Sequence, residues 1–193
     1  MKAIETGIAG LLVVEPQVFG DERGWFMEAH SRPKFDALGI ESDVVQINHS
    51  FSVRGVLRGL HFQTPPNDQT KLVRCLRGRL YDVAVDIRVG SPTFGRWFGL
   101  ELSAENRKML FVPSGFAHGF YSVDDSELMY LCGRSGYSKE TEGGLRFDAE
   151  DLGIAWPLDG EPTINDRDRN FPTLAELQSP FVWQEEKVKE MAL

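Results

Sequence analysis

Two neighbouring stretches of the sequence carry side chains suited to acid–base chemistry. Arg58 and His61 lie in the segment RGVLRGLHFQ at residues 54–63, and Lys71 follows shortly after. A histidine with an ordinary pKa near ~6.5 is neutral at pH 7 and can accept a proton. Strand alternation directs Arg58 and His61 to opposite faces, so they converge only if Gly59 interrupts the pleat with a bulge or bend. The simpler interpretation of this stretch is an edge strand with solvated cations.

Two further stretches hold candidate polar groups. His118 lies at residues 111–120 among aromatic and small residues, where a buried or rim histidine is the simpler interpretation. Residues 19–28 contain Arg23, Phe26 and Glu28, and taken alone they fit a hairpin turn with surface charges. Neither stretch by itself indicates an activity.

The composition is that of a folded protein with an acidic balance. The chain has 193 residues, with 21 Lys+Arg against 29 Asp+Glu and a net charge of −8. Its 41 % hydrophobic and 26 % charged content excludes a generic disordered chain and suits one domain. The acidic balance argues against a nucleic-acid polymer as partner, since that partner needs a basic surface. A local cluster of Arg and Lys can still bind a small anion.

Cysteine usage and the amino-terminal region predict a soluble cytoplasmic protein. Cys75 and Cys132 each lie in an apolar run without CxxC spacing, so we expect buried free thiols. The apolar run at residues 8–14 is too short to span a bilayer, and it lacks the pattern of a signal peptide. No membrane association is expected.

The elements that must position these groups are mostly short strands. Residues 81–87 alternate, with Tyr81, Val83, Val85 and Ile87 on one apolar face. Gly and Pro punctuate the chain, and no βαβ alternation or glycine-rich phosphate loop is present, which favours a sandwich or barrel. The predicted strands span residues 9–15, 25–29, 44–51, 72–76, 79–88, 96–102, 108–112, 115–122 and 127–132.

Few helices are predicted. Ser31 can cap a short helix that has Pro33 in its first turn and Gly39 just past its end. A second helix is expected at residues 172–177, and the tail at 183–191 has the spacing of a surface helix.

Together the stretches resemble the dTDP-4-dehydrorhamnose 3,5-epimerase family of sugar-nucleotide epimerases. The resemblance covers about residues 4–177 in one order with near-constant spacing. Its motifs are Asp21-Glu-Arg-Gly-Trp-Phe-Met-Glu28, Gln46-Ile-Asn-His-Ser50, Gly55-Val-Leu-Arg-Gly-Leu-His-Phe-Gln63, Gln69-Thr-Lys-Leu-Val-Arg74, Asp82-Val-Ala-Val-Asp-Ile-Arg88, Ser91-Pro-Thr-Phe-Gly-Arg-Trp97, Leu102-Ser-Ala-Glu-Asn106 and Val112-Pro-Ser-Gly-Phe-Ala-His-Gly-Phe120.

The resemblance implies an all-β, cupin-type jelly-roll β-barrel with a few short peripheral helices. It implies one epimerase domain over residues 1–193, with a core at about 4–177 and a C-terminal tail at 178–193, working as a homodimer without a cofactor. Some of the family's N-terminal contacts reach the partner subunit's site.

The resemblance also implies roles for individual residues. His61 would be the general base, Asp168 its partner carboxylate and Tyr130 the acid on the other face of the sugar, with Tyr137 as the alternative acid. Lys71 and Arg58 would lie near the sugar and its neighbouring phosphate. The remaining substrate contacts map to Arg23, Phe26, Glu28, Gln46, Asn48, His118, Tyr137, Glu142 and Arg167.

The implied reaction is epimerisation of a dTDP-linked 4-keto-6-deoxyhexose in deoxysugar biosynthesis, of which dTDP-rhamnose biosynthesis is an example. The C4 ketone acidifies the neighbouring carbons, so a base on one face and an acid on the other invert C3, C5 or both. Metal-binding cupins present a His-x-His pair, whereas Phe62 and Gln63 follow His61, so no metal is expected. A sugar-nucleotide 3,4-ketoisomerase and a non-catalytic sugar-nucleotide-binding cupin are the alternative functions.

Overall fold

The computed structural model describes residues 1–41 and 43–185, which are built almost entirely of β-strands. Two short helices, α1 at Arg32–Asp36 and α2 at Asp166–Arg169, and a 3₁₀ turn at Lys139–Thr141 lie at the periphery. The strands are β1 Lys2–Glu5, β2 Leu12–Glu15, β3 Val18–Asp21, β4 Gly24–Met27, β5 Val44–Ser52, β6 Leu57–Gln63, β7 Thr70–Arg77, β8 Arg79–Asp86, β9 Trp97–Ser103, β10 Met109–Val112, β11 Phe116–Ser122, β12 Ser126–Gly133 and β13 Glu142–Gly144.

Two antiparallel sheets face each other and form the barrel. One has the strand order β1-β2-β10-β7-β12-β5 and the other β13-β6-β11-β8-β9, while β3 and β4 form a separate hairpin. Strands that are neighbours in a sheet come from distant parts of the sequence, as in β10-β7-β12. This architecture confirms the all-β jelly-roll barrel predicted from the sequence.

Three of the four hydrophobic clusters among the described residues hold the layers together. The interior core joins both sheets, with Val73 and Leu110 from the first and Leu80 and Phe120 from the second. An outer core covers the far side of the five-stranded sheet, and a third packs α1 and Met27 of β4 onto the outer side of the six-stranded sheet. The interior is therefore the only one of these three that both sheets line.

Side chains alternate along β8, so one face of the strand packs in the outer core and the other points into the barrel. Val83, Val85 and Ile87 belong to the outer core, together with Leu152 and Phe181 of the C-terminal segment. Residues 80, 82, 84 and 86 point the other way, into the barrel. The strongly apolar face predicted for residues 81–87 thus anchors the C-terminal segment, while the opposite face reaches the interior.

The predicted strands agree with the observed ones to within a few residues, with identifiable exceptions. β2 begins at Leu12 rather than at residue 9, because a turn closed by Leu11 N–H donating to Ile8 O, with Gly10 at a φ of 86°, precedes it. The short strands β1, β3 and β13 were absent from the predicted set, and β6 was considered only as a possible edge strand. In fact β6 lies inside its sheet, paired with both β11 and β13.

The helix predictions were correct only in part. α1 follows Ser31 as predicted, although the Ser31 side chain makes no capping hydrogen bond. The helix expected at residues 172–177 was wrong: Thr173 and Glu176 close a single turn there, with the backbone N–H and Oγ1 of Thr173 each 2.9 Å from Glu176 Oε2. The predicted tail helix is not present at residues 183–185, and residues 186–191 lie outside the described residues.

Gly59 interrupts the regular pairing of β6, which is the condition under which Arg58 and His61 can converge. His61 pairs with His118 and Arg58 with Phe120, so two residues of β6 face one residue of β11 in a bulge. Gly59 has a φ of 115°, and a Cβ there would lie 2.7 Å from Gly119 Cα. The bulge brings Arg58 and His61 to the same cavity, so the simpler interpretation of this stretch as an edge strand with solvated cations is wrong.

We predict that Gly59→Ala destabilises the fold more than Gly55→Ala does. Both positions have positive φ, but nothing lies within 4 Å of a Cβ at Gly55. The alanine at 55 should reduce the free energy of unfolding by ~1–2 kcal/mol, and the alanine at 59 by roughly 2–5 kcal/mol because it also meets the β11 backbone. Urea unfolding of both variants measures this, and equal losses would contradict the packing argument.

Candidate active site

A cavity of about 320 Å³ opens between the two sheets, and it gathers most of the candidate residues. β6, β11 and β13 form one wall, and β5, β7 and β12 form the other. The candidate residues that line it are Arg58, His61, Lys71, His118, Tyr130, Tyr137, Glu142 and Arg167. The sequence segments that were ambiguous one at a time therefore meet at one place.

His61 is held from behind by a buried carboxylate. Asp168 is fully buried at the start of α2, and its Oδ1 lies 2.9 Å from His61 Nε2. Its Oδ2 accepts the backbone N–H of Gly59 at 3.0 Å. Because the carboxylate only accepts, its 2.9 Å bond assigns the proton to Nε2 and leaves the Nδ1 lone pair free, as a general base requires. Arg167 Nη2 lies 3.2 Å from the same Nε2, and in this tautomer that contact is not a hydrogen bond because both atoms carry hydrogen.

The pKa of Asp168 shows that its charged form is favoured. Burial alone would raise this pKa, but hydrogen bonds from His61, Gly59 and Arg167 outweigh burial and hold it below its ordinary value. The carboxylate is therefore ionised at neutral pH, where it can orient the imidazole and stabilise the imidazolium.

Arg167 connects this dyad to the rim of the cavity. Its Nε donates to Asp168 Oδ1 at 3.1 Å, and its Nη1 donates to Glu142 Oε2 at 2.6 Å. The Tyr137 hydroxyl donates to the same Glu142 oxygen at 3.0 Å, and this bond is the largest cause that raises the pKa of Tyr137. Tyr137 thus sits at an exposed edge of the site with its hydroxyl already engaged.

Tyr130 and Lys71 stand on the wall opposite His61. Tyr130 lies on β12, and burial is the largest cause that raises its pKa, so the phenol holds its proton at neutral pH. Lys71 lies on the neighbouring β7, where burial lowers the pKa of its ammonium group and nearby acidic groups oppose that effect. The cavity thus has a proton acceptor on one sheet and proton-bearing groups on the other.

His118 has a carboxylate partner that sequence reasoning did not assign. Asp82 on β8 is fully buried, and its Oδ1 lies 2.8 Å from His118 Nε2. The signal for it was present in the sequence, because Asp82 is a charged residue between Leu80 and Ala84 on the interior-facing side of the strand. The cavity therefore contains two histidines, each backed by a buried aspartate.

Asp168 lies behind His61, and five other candidate residues also lie outside the cavity lining. Gln46 and Asn48 are close to it, since Gln46 Nε2 donates to Asn48 Oδ1 at 2.8 Å and Gln46 Oε1 accepts the Tyr137 N–H at 2.9 Å. Arg23, Phe26 and Glu28 are on or beside the β3–β4 hairpin, away from this chain's cavity. Phe26 is 65 % exposed, Arg23 bonds to Asp21, and Glu28 pairs with Lys34.

Other expectations can be compared with the described part of the chain. Both cysteines are buried and unpaired, as predicted. Among residues 1–41 and 43–185, no group of three or more His, Cys, Asp or Glu side chains is placed to hold a metal ion. Within the same ranges, no helix has the length and apolar character needed to cross a bilayer.

Comparison with known proteins identifies the family. The sequence profile of the dTDP-4-dehydrorhamnose 3,5-epimerase family matches residues 5–176. This chain belongs to that family. Its members are isomerases of the carbohydrate-epimerase type, and the family resemblance drawn from the motifs is thereby confirmed.

Relatives in the family are similar along nearly their whole length. A dTDP-4-dehydrorhamnose 3,5-epimerase of Shigella flexneri is 49 % identical over 172 residues, which cover 88 % of this chain and 94 % of the relative. A Legionella pneumophila epimerase in complex with dTDP-4-keto-L-rhamnose superposes with a TM-score of 0.90 at 40 % identity, covering 95 % of this chain and 98 % of that one. The 3′-monoepimerase ChmJ of Streptomyces bikiniensis, in complex with dTDP-quinovose, gives a TM-score of 0.84 at 39 % identity, covering 96 % and 98 %.

We predict that Asp168→Asn destabilises the protein at pH 7 and does so less in acid. A carboxyl with a lowered folded pKa contributes stability above its unfolded pKa of ~3.9, and that stability is lost as the pH falls through the folded value. Urea unfolding should show a loss of ~1–3 kcal/mol at pH 7 that shrinks toward pH 3.

The matched control is Asp166→Asn, on the exposed side of the same helix. It should change the free energy of unfolding by a similar small amount at both pH values. A loss for Asp168→Asn that is as large at pH 3 as at pH 7 would contradict the account of its pKa.

Proposed function

We propose that this protein epimerises a nucleotide-linked 4-keto-6-deoxyhexose, of the dTDP-4-keto-6-deoxyglucose type, without a cofactor. Inversion takes place at C3, C5 or both, next to the C4 ketone. The observation that carries the proposal is the cavity with the His61–Asp168 dyad on one sheet and Tyr130 on the facing sheet. Membership of the family and the keto-sugar complex of the Legionella relative support it.

The first step removes a proton from a carbon next to the ketone. His61 Nδ1 accepts the proton, and the C–H electron pair moves into an enolate whose charge rests on the C4 oxygen. Asp168, ionised and hydrogen-bonded to Nε2, stabilises the imidazolium that forms. A positioned base of this kind contributes ~10²–10⁴-fold in rate.

The second step returns a proton from the other side. Tyr130 holds its proton at neutral pH and lies on the opposite wall, so protonation from its hydroxyl gives the inverted carbon. Lys71 lines the same cavity and supplies positive charge for the enolate oxygen. Without an acid on the second face, the base would exchange the proton and leave the configuration unchanged.

The anionic part of the substrate has a local positive region to bind. Arg58, Lys71 and Arg167 all line the cavity, although the whole chain carries a net charge of −8. A guanidinium fork suits the oxygens of a diphosphate. Glu142 neutralises part of Arg167 in this structure, so the diphosphate would compete with Glu142 for that guanidinium.

The active form is proposed to be a homodimer of single-domain subunits, with the core and tail boundaries expected from the sequence. On the edge strand β5, the outward residues Val45, Ile47 and Phe51 are 57 %, 61 % and 50 % exposed. Such an apolar edge is covered in a stable soluble protein, and a second copy fits it. Arg23, Phe26 and Glu28 would then reach the second copy's cavity.

A cytoplasmic location is part of the same proposal. Cys75 and Cys132 are buried free thiols, which fit a reducing compartment.

We predict that His61→Asn abolishes uptake of deuterium from heavy water at C3 and C5 of dTDP-4-keto-6-deoxyglucose. Without the imidazole there is no base, and exchange should fall by ~10²–10⁴-fold. His30→Asn is the control, because His30 lies outside the cavity and its ring packs against Phe35 of α1. NMR or mass spectrometry of recovered substrate measures the uptake, and full exchange by His61→Asn would reject the assignment.

Tyr130→Phe separates exchange from inversion. We expect this variant to take up deuterium while forming little inverted product, since His61 can remove and return the proton on one face only. Tyr137→Phe serves as the comparison, because its hydroxyl is already bonded to Glu142. Normal inversion by Tyr130→Phe together with loss of inversion by Tyr137→Phe would transfer the acid role to Tyr137.

Mixing two inactive variants tests whether the hairpin completes the second copy's site. We expect His61→Asn and Arg23→Glu to be inactive alone and to recover about a quarter of the natural activity after subunit exchange, because half of the dimers are mixed and one of their two sites is intact. His61→Asn mixed with Arg167→Glu is the control, since both residues line one chain's cavity and no mixed site is intact. Absence of recovery in the first mixture would contradict the shared site.

A further inference from the structure

We propose that Asp82 is a positioning residue that fixes His118 through Nε2 and serves as the buried counter-charge of Lys71. This inference rests on the proposed function, in which Lys71 must carry a proton to stabilise the enolate. Asp82 itself does not line the cavity, so it acts through the two residues that do.

The position of Asp82 follows from strand alternation. Asp82 shares the interior face of β8 with Leu80 and Ala84, and Lys71 shares the interior face of β7 with Val73. The two strands belong to opposite sheets, so the carboxylate and the ammonium point into the same interior. Oδ1 of Asp82 faces His118, while its Oδ2 is buried and has no hydrogen-bond partner among the described residues.

A buried carboxylate with one unpaired oxygen needs a positive neighbour. Removing it from water is unfavourable unless a cation or hydrogen bonds compensate. His118 satisfies Oδ1 through Nε2, which leaves Oδ2 of Asp82 as the oxygen that a positive neighbour can stabilise. The titratable or charged groups that face Lys71 from the surrounding elements are Arg58 and His61 of β6, Asp82 of β8, His118 of β11, Tyr130 and Cys132 of β12, Glu142 of β13 and Arg167 of α2.

Among the acidic groups of that set, Asp82 is the one with a buried carboxylate oxygen that has no hydrogen-bond partner among the described residues. Cys132 would help Lys71 only as a thiolate, and burial raises the pKa of this thiol. The charge of Glu142 is shared with Arg167 and Tyr137. Asp82 therefore opposes the burial that lowers the pKa of Lys71.

The test is the pH profile of deuterium uptake at saturating dTDP-4-keto-6-deoxyglucose in Asp82→Asn. Loss of the negative charge disfavours the ammonium form, so the pKa of Lys71 falls and the alkaline limb should move to lower pH by at least about one unit. At pH 8 we expect uptake to be ~10–100-fold slower, with a smaller ratio toward pH 6. Deuterium uptake is measured rather than inversion, because uptake depends on proton removal by His61 and does not require protonation by Tyr130.

Two control variants distinguish the effect of losing the Asp82 charge from a general structural effect of the substitution. Asp82→Glu retains the charge and should keep the alkaline limb of the natural protein even if its rate falls. Asp124→Asn makes the same change in net charge at an exposed carboxylate paired with Arg79 and should alter neither limb nor rate. An alkaline limb in Asp82→Asn that coincides with that of the natural protein would overturn the proposal, whatever the rate.

A measurement on the natural protein covers the case in which Asp82→Asn does not fold. Nitrogen NMR of the ligand-free protein should show His118 protonated at Nε2 and unprotonated at Nδ1, and Lys71 in its ammonium form at pH 7. A proton at Nδ1 alone, or a neutral Lys71, would overturn the inference. If the natural protein takes up no deuterium, the proposed function fails, while the two NMR observations still decide the role of Asp82.

Discussion

The contact between His61 and the buried Asp168 is the constraint on which the rest of the site depends. A carboxylate with no exposed surface is stable only if hydrogen bonds replace its water, and three parts of the chain provide them: the His61 ring, the Gly59 backbone and the Arg167 side chain. The same bonds fix the orientation of the base. The bulge in β6 is what makes this arrangement possible, because it places Gly59 N–H and the His61 ring within reach of one carboxylate.

Carboxylates stabilise the positive charge of the site within the barrel. An anionic sugar nucleotide requires positive charge, and the barrel interior disfavours isolated charges. Arg167 is therefore held by Asp168 and Glu142. This pairing keeps the guanidinium in place before the substrate binds, and such preorganisation reduces the rearrangement that binding and catalysis demand.

The sequence predicted the barrel and most of the cavity, and its failures have physical causes. The period of two along residues 81–87 identified a strand, but it did not reveal that the apolar face covers the C-terminal segment while the polar face lines the interior. The turn at Thr173 resembles a helix start because the Glu176 carboxylate accepts the backbone N–H of Thr173, as a glutamate does three residues after a helix N-cap. The glycine within RGLHF correctly indicated a break in the pleat, since a Cβ there has no room.

Local sequence patterns could not predict which histidine and aspartate side chains, far apart in the chain, contact each other. His61 and Asp168 are separated by 107 positions, and His118 and Asp82 by 36, so only the fold brings each pair together. The first pair was proposed through the family resemblance. The second went unassigned because Asp82 lies in a strand that otherwise fits a purely structural role. Exposed residues of the β3–β4 hairpin also have no visible role in one subunit, and their contribution depends on a second copy.

The most direct test of the account is a crystal structure of the protein with a dTDP-linked 4-keto sugar bound. The account predicts the sugar ring between the two sheets, with His61 Nδ1 facing one side of the carbon that is inverted and the Tyr130 hydroxyl facing the other. A ring bound with both groups on the same side, or outside the cavity that they share, would contradict it.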